Sequence, residues 1–362
     1  MRLPILCMTG LACIAILAPQ VDAGELKLIH RYGQPVVDRE KAFGGRVRFA
    51  SWIDENAVVF TPAKDTIVRL SLSNGKSDWV VKSRKRIEDW SYSRKSKRLA
   101  YRAGRRVCVL DCSTGGKLFD ADDKAIARLL GVDNINPSHI ALSPVNGQLF
   151  LCESTFSFGR NGYVLGTKYR KVVSSFSVDA YPRDLTLSPD GKCVAVIGYR
   201  DLLSVRNIRR DCDVFLDGKR VVIDAKALYD PKTMTTTFPL FETKFDTPFF
   251  SHIRYDGKGT IIYSQDGGWG TGKVFVRSIC GNKAMKIDGR NGHIEMDVDF
   301  KRKRIVLTGT STDLTVVDFA GKELFHAKAV TKQRNLCVEF SPSGKKVLVG
   351  SWDNTLSIFS IE

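Results

Sequence analysis

A recurring strand–turn–strand unit constrains the fold of this chain more than any other feature. Near the C-terminus, residues 338–345 read V-E-F-S-P-S-G-K and lead into the apolar run 346–350. Residues 185–192 read L-T-L-S-P-D-G-K and residues 140–147 read I-A-L-S-P-V-N-G, each again followed by an apolar run. A short strand, a tight turn containing glycine and a second strand are typical of a β-hairpin. The sequence therefore predicts a chain of repeated hairpins.

Seven such units fit along the chain, starting near residues 46, 87, 138, 183, 249, 293 and 335. Third strands, together with the turns that follow them, are expected at residues 68–76, 107–117, 163–171, 227–234, 274–283 and 314–322. A repeat of about 40 to 50 residues with strands of this kind indicates a β-propeller. Two stacked β-sandwiches would also give short alternating strands, but they would not give a series of similar units.

The two ends of the chain complement each other. The last unit stops after its third strand, while residues 25–31 form a strand that no unit uses. Pairing the two would close the ring without a free edge. The predicted fold is therefore all-β: a seven-bladed β-propeller with four-stranded blades, its ring closed by the N-terminal strand on the last blade.

At this point the chain resembles the WD-repeat (WD40-like) β-propeller family over nearly its whole length. The resemblance rests on Ser188-Pro189-Asp190-Gly191, on Gly292-His293 before a first strand and on Trp352-Asp353 in a turn. Third strands that end in Trp-Asp do not occur, and one unit alone carries Gly-His. The resemblance implies structural roles for His293 and for the turn aspartates Asp65, Asp313 and Asp353.

The first 23 residues have the pattern of a secretory signal. Arg2 precedes the apolar stretch 5–17, and Val21-Asp22-Ala23 places small residues where a signal peptidase cleaves. An uncleaved anchor and a buried first helix are the alternatives. We expect cleavage after Ala23, a secreted or periplasmic protein, and one propeller domain over residues 24–362.

The chain is strongly basic, with 56 Lys and Arg against 39 Asp and Glu, a net charge of +17. In a WD-like blade, the connections from strand two to three and from strand four to the next blade lie on one rim, called the top rim here; the other turns form the bottom rim. Residues 82–106 hold eleven Lys and Arg and two acids. The bottom rim receives Arg94, Lys95, Lys97 and Arg98. The top rim receives Arg84, Lys85, Arg86, Arg102, Arg105 and Arg106.

Long loops are also expected on the top rim, and loops on a rigid scaffold are where binding residues concentrate. Residues 199–222 are interpreted as an insertion with a hairpin at Asp217-Gly218, and 124–130 as a short helix. The loops add the candidate binding residues Phe156, Phe158, Arg160, Tyr199, Arg200 and Trp269. Arginine beside exposed aromatic residues indicates binding to an acidic protein or anionic polymer. A merely solvated basic surface is the alternative.

The residues offer little direct sign of chemistry. None of the five histidines has metal-ligand spacing, and no nucleophile motif occurs. We therefore expect no catalytic residue, cofactor or metal, no specific nucleic-acid recognition and a monomer.

The alternative is a propeller enzyme of the lactonase or quinoprotein type, with its site at the mouth of the central channel. His139 and His252 begin first strands and are expected near that mouth. An acidic or histidine-containing channel would favour the enzyme, whereas a plain Ser/Thr/Val lining would exclude it.

Overall fold

The computed structural model describes most of the predicted domain. Described are residues 24–33, 46–153, 161–166, 168–177, 182–191, 193–198, 203–207, 213–216, 219–222, 229–230, 235–236, 249–256, 258, 260–266, 271–278, 284–291 and 294–361. The leader 1–23 lies outside them. Within the described part, no helix has the length and apolar character needed to cross a membrane.

The described chain is almost entirely β-structure. Its first strands in chain order are β1 (Gly24–Tyr32), β2 (Ala50–Asp54), β3 (Ala57–Ala63), β4 (Thr66–Ser71), β5 (Ser77–Lys82), β6 (Ile87–Ser93), β7 (Arg98–Ala103), β8 (Arg106–Asp111), β9 (Lys117–Ala121), β10 (Pro137–Leu142), β11 (Leu149–Glu153), β12 (Asn161–Leu165) and β13 (Val172–Ser177). These are followed by β14 (Pro182–Leu187), β15 (Cys193–Gly198), β16 (Leu203–Asn207), β17 (Asp213–Leu216), β18 (Lys219–Val222), β19 (Tyr229–Asp230) and β20 (Thr235–Thr236). The last are β21 (Phe249–Tyr255), β22 (Thr260–Asp266), β23 (Thr271–Ser278), β24 (Ala284–Asn291), β25 (Ile294–Asp299), β26 (Arg304–Gly309), β27 (Leu314–Asp318), β28 (Glu323–Ala327), β29 (Asn335–Phe340), β30 (Lys346–Ser351) and β31 (Leu356–Ile361).

The strands form successive antiparallel sheets. Four sheets have four strands in chain order, namely β2–β5, β6–β9, β10–β13 and β21–β24, and β14–β16 form a three-stranded sheet. The first strands β2, β6, β10, β14, β21, β25 and β29 contribute residues to one central cavity. Sheets arranged around such a cavity form a β-propeller, as predicted. The blade number stays a prediction, because residues 199–248 are described only in short pieces.

Apolar layers between neighbouring sheets hold the ring together. In β8, Val107 and Val109 pack in a cluster shared with β10–β13, whereas Cys108 and Leu110 pack against residues of β2–β5. All four side chains are at most 1% exposed. Because a sheet is covered on both faces, its central strands carry continuous apolar runs rather than an alternating pattern.

The predicted ring closure is confirmed in register. Strand β1 pairs antiparallel with β31, from Leu26 opposite Ile361 to Tyr32 opposite Leu356. Its first residues also pair parallel with β28, with Gly24 opposite Phe325. The second contact was not predicted, and it merges the last two sheets into one sheet of eight strands.

The helix predicted at 124–130 is confirmed as α1 (Asp123–Leu130), which follows β9. The carboxylate of Asp122 caps its first turn by accepting from the amide of Ala125 at 2.9 Å. Gly131 ends it with φ of 70°, a conformation that favours glycine. Ile126 is fully buried against the sheets on either side, which ties the helix to the domain.

One predicted third strand is wrong. The strand that pairs with β15 is β16 (Leu203–Asn207), with Ala195 opposite Val205, and not residues 227–234. Strand β16 therefore lies inside the segment 199–222 that was interpreted as an insertion. Closing the short connection 199–202 costs less chain entropy than closing one of about thirty residues, which favours the nearer strand. The predicted hairpin forms within the same segment as β17 and β18, on either side of residues 217–218.

Candidate functional site

Three predicted top-rim cations stand free on the surface. Arg84, Lys85 and Arg86 lie between β5 and β6, and all three side chains are exposed. Both ends of this loop are fixed, because the amides of Ser83 and Ile87 donate to the carbonyls of Asp65 and Lys64, each at 2.7 Å. In the part of the chain that the structure describes, no carboxylate forms an ion pair with Arg84, Lys85 or Arg86.

The other three predicted cations of this rim are neutralised locally. Arg102 forms an ion pair with Glu88, and Arg106 forms one with Asp120. Arg105 lies 3.1 Å from the carboxylate of Asp123 at the start of α1. The sequence signal that was missed is the acidic run at 120–123, which the β8–β9 pairing brings beside Arg106. The basic surface of this rim is therefore smaller than its composition suggests.

Other predicted site residues cannot be placed. These are Phe156, Phe158, Arg160, Tyr199, Arg200, Trp269 and the structural candidate His293, all of which lie outside the described residues. Their roles remain predictions.

The turn aspartates differ in their contacts. Asp353 is 1% exposed and accepts from the amides of Lys332 and Thr355. Asp313 accepts from the amide of Ala329 at 2.9 Å. Both thereby hold the connection towards the following strand. The carboxylate of Asp65 accepts from the hydroxyl of its neighbour Thr66.

The central cavity has a volume of about 740 Å³ and a strongly charged wall. Seven acidic side chains and three arginines line it, so acidic groups outnumber basic ones. The acids are Glu88, Asp89, Asp184, Glu295, Asp297, Asp299 and Glu339, and the bases are Arg48, Arg94 and Arg254. An acidic interior thus lies within a basic protein.

A shared irregularity sets the register of the first strands. The pairing of β6, β10, β14 and β21 with their second strands shifts just before Asp89, His139, Asp184 and His252, respectively. A β-bulge redirects the side chains that follow it, so these four residues occupy equivalent positions around the cavity. Acid and imidazole alternate, and each histidine Nδ1 lies 3.9 Å from the preceding aspartate. The expectation that His139 and His252 approach the channel is confirmed.

Three of the cavity aspartates also connect neighbouring first strands. Oδ2 of Asp89 accepts from the amide of Ile140 at 2.8 Å, and Oδ2 of Asp184 accepts from that of Ile253 at 2.9 Å. Asp297 accepts likewise from Phe340 at 2.9 Å. First strands have no backbone partner on their inner edge, so these carboxylates satisfy amides that would otherwise lose a hydrogen bond.

One close ion-pair contact in the cavity joins His252 and Glu295. Nε2 of the histidine lies 3.0 Å from Oε2 of the glutamate. Burial of His252 disfavours its charged form, but Glu295 and Asp184 outweigh burial and raise its pKa. Nearby, Arg254 lies 3.5 Å from both Asp184 and Asp297. The cluster is thus a connected network of opposite charges.

A second perturbed group lies further along the cavity. Burial, and then the neighbouring charge of Asp297, raise the pKa of Glu339 to about 8 from its ordinary value of 4.5. Arg94 at 3.2 Å and Arg254 act in the opposite direction without cancelling the rise. Glu339 therefore holds a proton near neutral pH.

Replacing Glu339 with Gln is expected to flatten the pH dependence of stability. Since the folded state binds this proton more tightly than the unfolded chain, its contribution is fully present below the ordinary pKa and is lost as pH rises through about 8. Glu339 keeps 22% of its side-chain surface accessible, so solvent screening reduces the effect. Between about pH 5 and about pH 9, the wild type should lose roughly 2 kcal/mol relative to Glu339→Gln in urea unfolding. The control Glu25→Gln, at an exposed residue, should show the same pH dependence of unfolding free energy as the wild type. The same pH dependence in all three proteins would contradict a raised pKa of Glu339.

The channel is not plainly lined by Ser, Thr and Val, so its lining does not exclude the enzyme alternative. Within the described residues, however, no group of three or more His, Cys, Asp or Glu side chains is placed to hold a metal ion. The cavity can bind polar groups and exchange protons through His252 and Glu339.

Comparison with known proteins identifies the fold. No family model matches the chain, and no curated protein matches it. The chain is similar to a solved structure described as the crystal structure of the WD40 beta propeller domain of Doa1. The TM-score is 0.62 at 13% identity, over 93% of this chain and 97% of that chain. At this identity the likeness concerns the fold alone, and the fold is that of a WD40-like β-propeller.

Proposed function

We propose that this WD40-like propeller is an exported, monomeric scaffold without catalytic activity that binds an acidic protein or an anionic polymer through its top rim. Export is supported by the leader pattern of residues 1–23. N-terminal sequencing of the mature protein should begin at Gly24, and an intact leader would contradict export.

The observation that carries the proposal is the run Arg84-Lys85-Arg86. Three consecutive cations lie exposed on a loop with fixed ends, and no described carboxylate pairs with them. Uncompensated charge of one sign on a rigid rim steers oppositely charged partners and contributes to binding them. Arg102, Arg105 and Arg106 add less, because their charges are already paired.

Changing Arg84, Lys85 and Arg86 together to Ser is expected to weaken binding to an anionic column. Losing three contacts to a polyanion should lower affinity roughly tenfold and reduce its salt dependence. The measurement is the salt concentration at which each protein elutes from a sulfated resin.

A matched control changes Lys95, Lys301 and Lys345 to Ser. These residues are exposed on bottom-rim turns, and the control loses the same formal charge. Elution of this variant near the wild type would locate binding on the top rim. If both triple variants elute at equally lowered salt concentrations, net charge alone explains the retention and the top rim is not a specific binding surface.

A hydrolytic site in the channel is the second candidate, favoured by the contact between His252 and Glu295. An imidazole held by a carboxylate can act as a general base. Turnover of a lactone or ester panel by the wild type, lost in His252→Gln with folding intact, would support this function. A wild type without turnover on that panel would count against it.

A further inference from the structure

A small pocket adjoins the central cavity, and half of its eight lining residues are Arg or Lys. Its volume is about 60 Å³, and its wall includes Arg46, Arg48, Lys64 and Arg86 together with Phe49 and Thr61. Arg48 and Phe49 also line the central cavity, so the two spaces adjoin. The pocket lies between the first two sheets on the top rim.

The arginines of this pocket repel one another. Burial, followed by the charges of Arg86 and Arg48, lowers the pKa of Arg46. Burial and Arg86 likewise lower the pKa of Arg48, which Asp89, Glu295 and Glu88 offset only in part. No ion pair joins Arg48, Lys64 or Arg86 to a carboxylate in the described ranges. Clustered like charge of this kind is relieved when an anion binds.

The backbone fixes the walls of the pocket. The carbonyl of Lys64 accepts from the amide of Ile87 at 2.7 Å, which holds Lys64 and Arg86 beside each other. On the other wall, the amide of Thr61 donates to the carbonyl of Phe49 at 3.0 Å. The guanidinium of Arg46 lies 3.5 Å from the ring centroid of Trp352. Cations held in place by the fold lose little entropy when they bind a ligand.

We propose that this pocket binds one oxyanion group, a phosphate or a carboxylate. Guanidinium groups match both through paired, charge-assisted hydrogen bonds, and the volume suits a single group rather than a polymer backbone. The inference deepens the proposed function and rests on it, since it names the chemical group of an acidic partner that the rim recognises.

The test is isothermal titration calorimetry with inorganic phosphate and, separately, acetate at constant ionic strength. Arg86→Ser is expected to weaken binding about tenfold, as removal of a charged hydrogen-bond donor does. Lys64→Ser should weaken it about threefold, because lysine contributes a single point charge. Lys95→Ser is the control: Lys95 is exposed on a bottom-rim turn and does not line the pocket, so binding should change less than about twofold.

The outcomes separate the pocket from the rim as a whole. Binding of either anion with the expected order of variants supports the pocket and identifies which oxyanion it prefers. Failure of the wild type to bind both anions, or equal weakening by Arg86→Ser and Lys95→Ser, would overturn it. Loss of column retention in the triple rim variant without anion binding would leave the proposed function standing alone. If the wild type binds the anions but the triple rim variant keeps its column retention, the pocket would be supported and the proposed function of the rim contradicted.

Discussion

Leu26→Ala is expected to lower the free energy of unfolding by about 3 kcal/mol. Leu26 is 4% exposed and packs in the apolar cluster that includes Val306, Val316 and Phe359. Truncation would leave a cavity at the strand that closes the ring. A loosened β1 would also expose the edge of β31, its antiparallel partner. Urea unfolding followed by circular dichroism measures the effect.

Leu28→Ala provides the control on the same strand. Leu28 does not belong to the cluster and is 42% exposed, so the same truncation should change stability by less than about 0.5 kcal/mol. If the two variants unfold at the same urea concentration, β1 does not seal the ring through its buried face. An altered dependence on urea for Leu26→Ala alone would indicate that the closing strand separates before the rest.

The fold was predictable because hairpin chemistry repeats. First strands begin at Ile87, Pro137, Pro182 and Asn335, each within one residue of the predicted start of its unit. The repeat gave the wrong third strand at β16. An alternating run such as 203–207 is compatible with either a blade strand or an inserted hairpin. Pairing partners decide between these, and sequence periodicity does not report them.

The candidate site was predictable only in part. The exposed loop at Arg84 followed from its position between two strands. The acidic wall of the cavity did not, because the direction of Asp89, Asp184 and Glu339 depends on strand register. A bulge shifts that register, and a slip of one residue moves every side chain to the opposite face. Such bulges precede Asp89 and Asp184, and no residue pattern in the sequence marks them.

Asp353→Ala is expected to destabilise the protein by about 3 kcal/mol and to loosen the mouth of the channel. The carboxylate is 1% exposed and accepts from the amides of Lys332 and Thr355, at 2.8 Å and 3.1 Å. Its loss would leave the amide of Thr355 without this partner in a buried setting, and it would release the amide of the exposed Lys332. The loop that Lys332 belongs to leads to Arg334, whose Nη2 lies 3.8 Å from Glu295 beside the cavity. Thermal unfolding measures the stability, and hydrogen exchange at Lys332 and Arg334 measures the loop.

Asp318→Ala is the control for Asp353→Ala, and it distinguishes the effect of burial on stability from the effect of the number of hydrogen bonds. Asp318 also accepts from two backbone amides, those of Ala320 and Lys322, but in an exposed turn. Water can replace the lost carboxylate there, so the cost should stay below about 1 kcal/mol. A similar loss in both variants would mean that turn geometry alone sets the effect. Faster exchange at Arg334 in Asp353→Ala, absent in Asp318→Ala, would instead tie this buried turn to the loop beside Glu295.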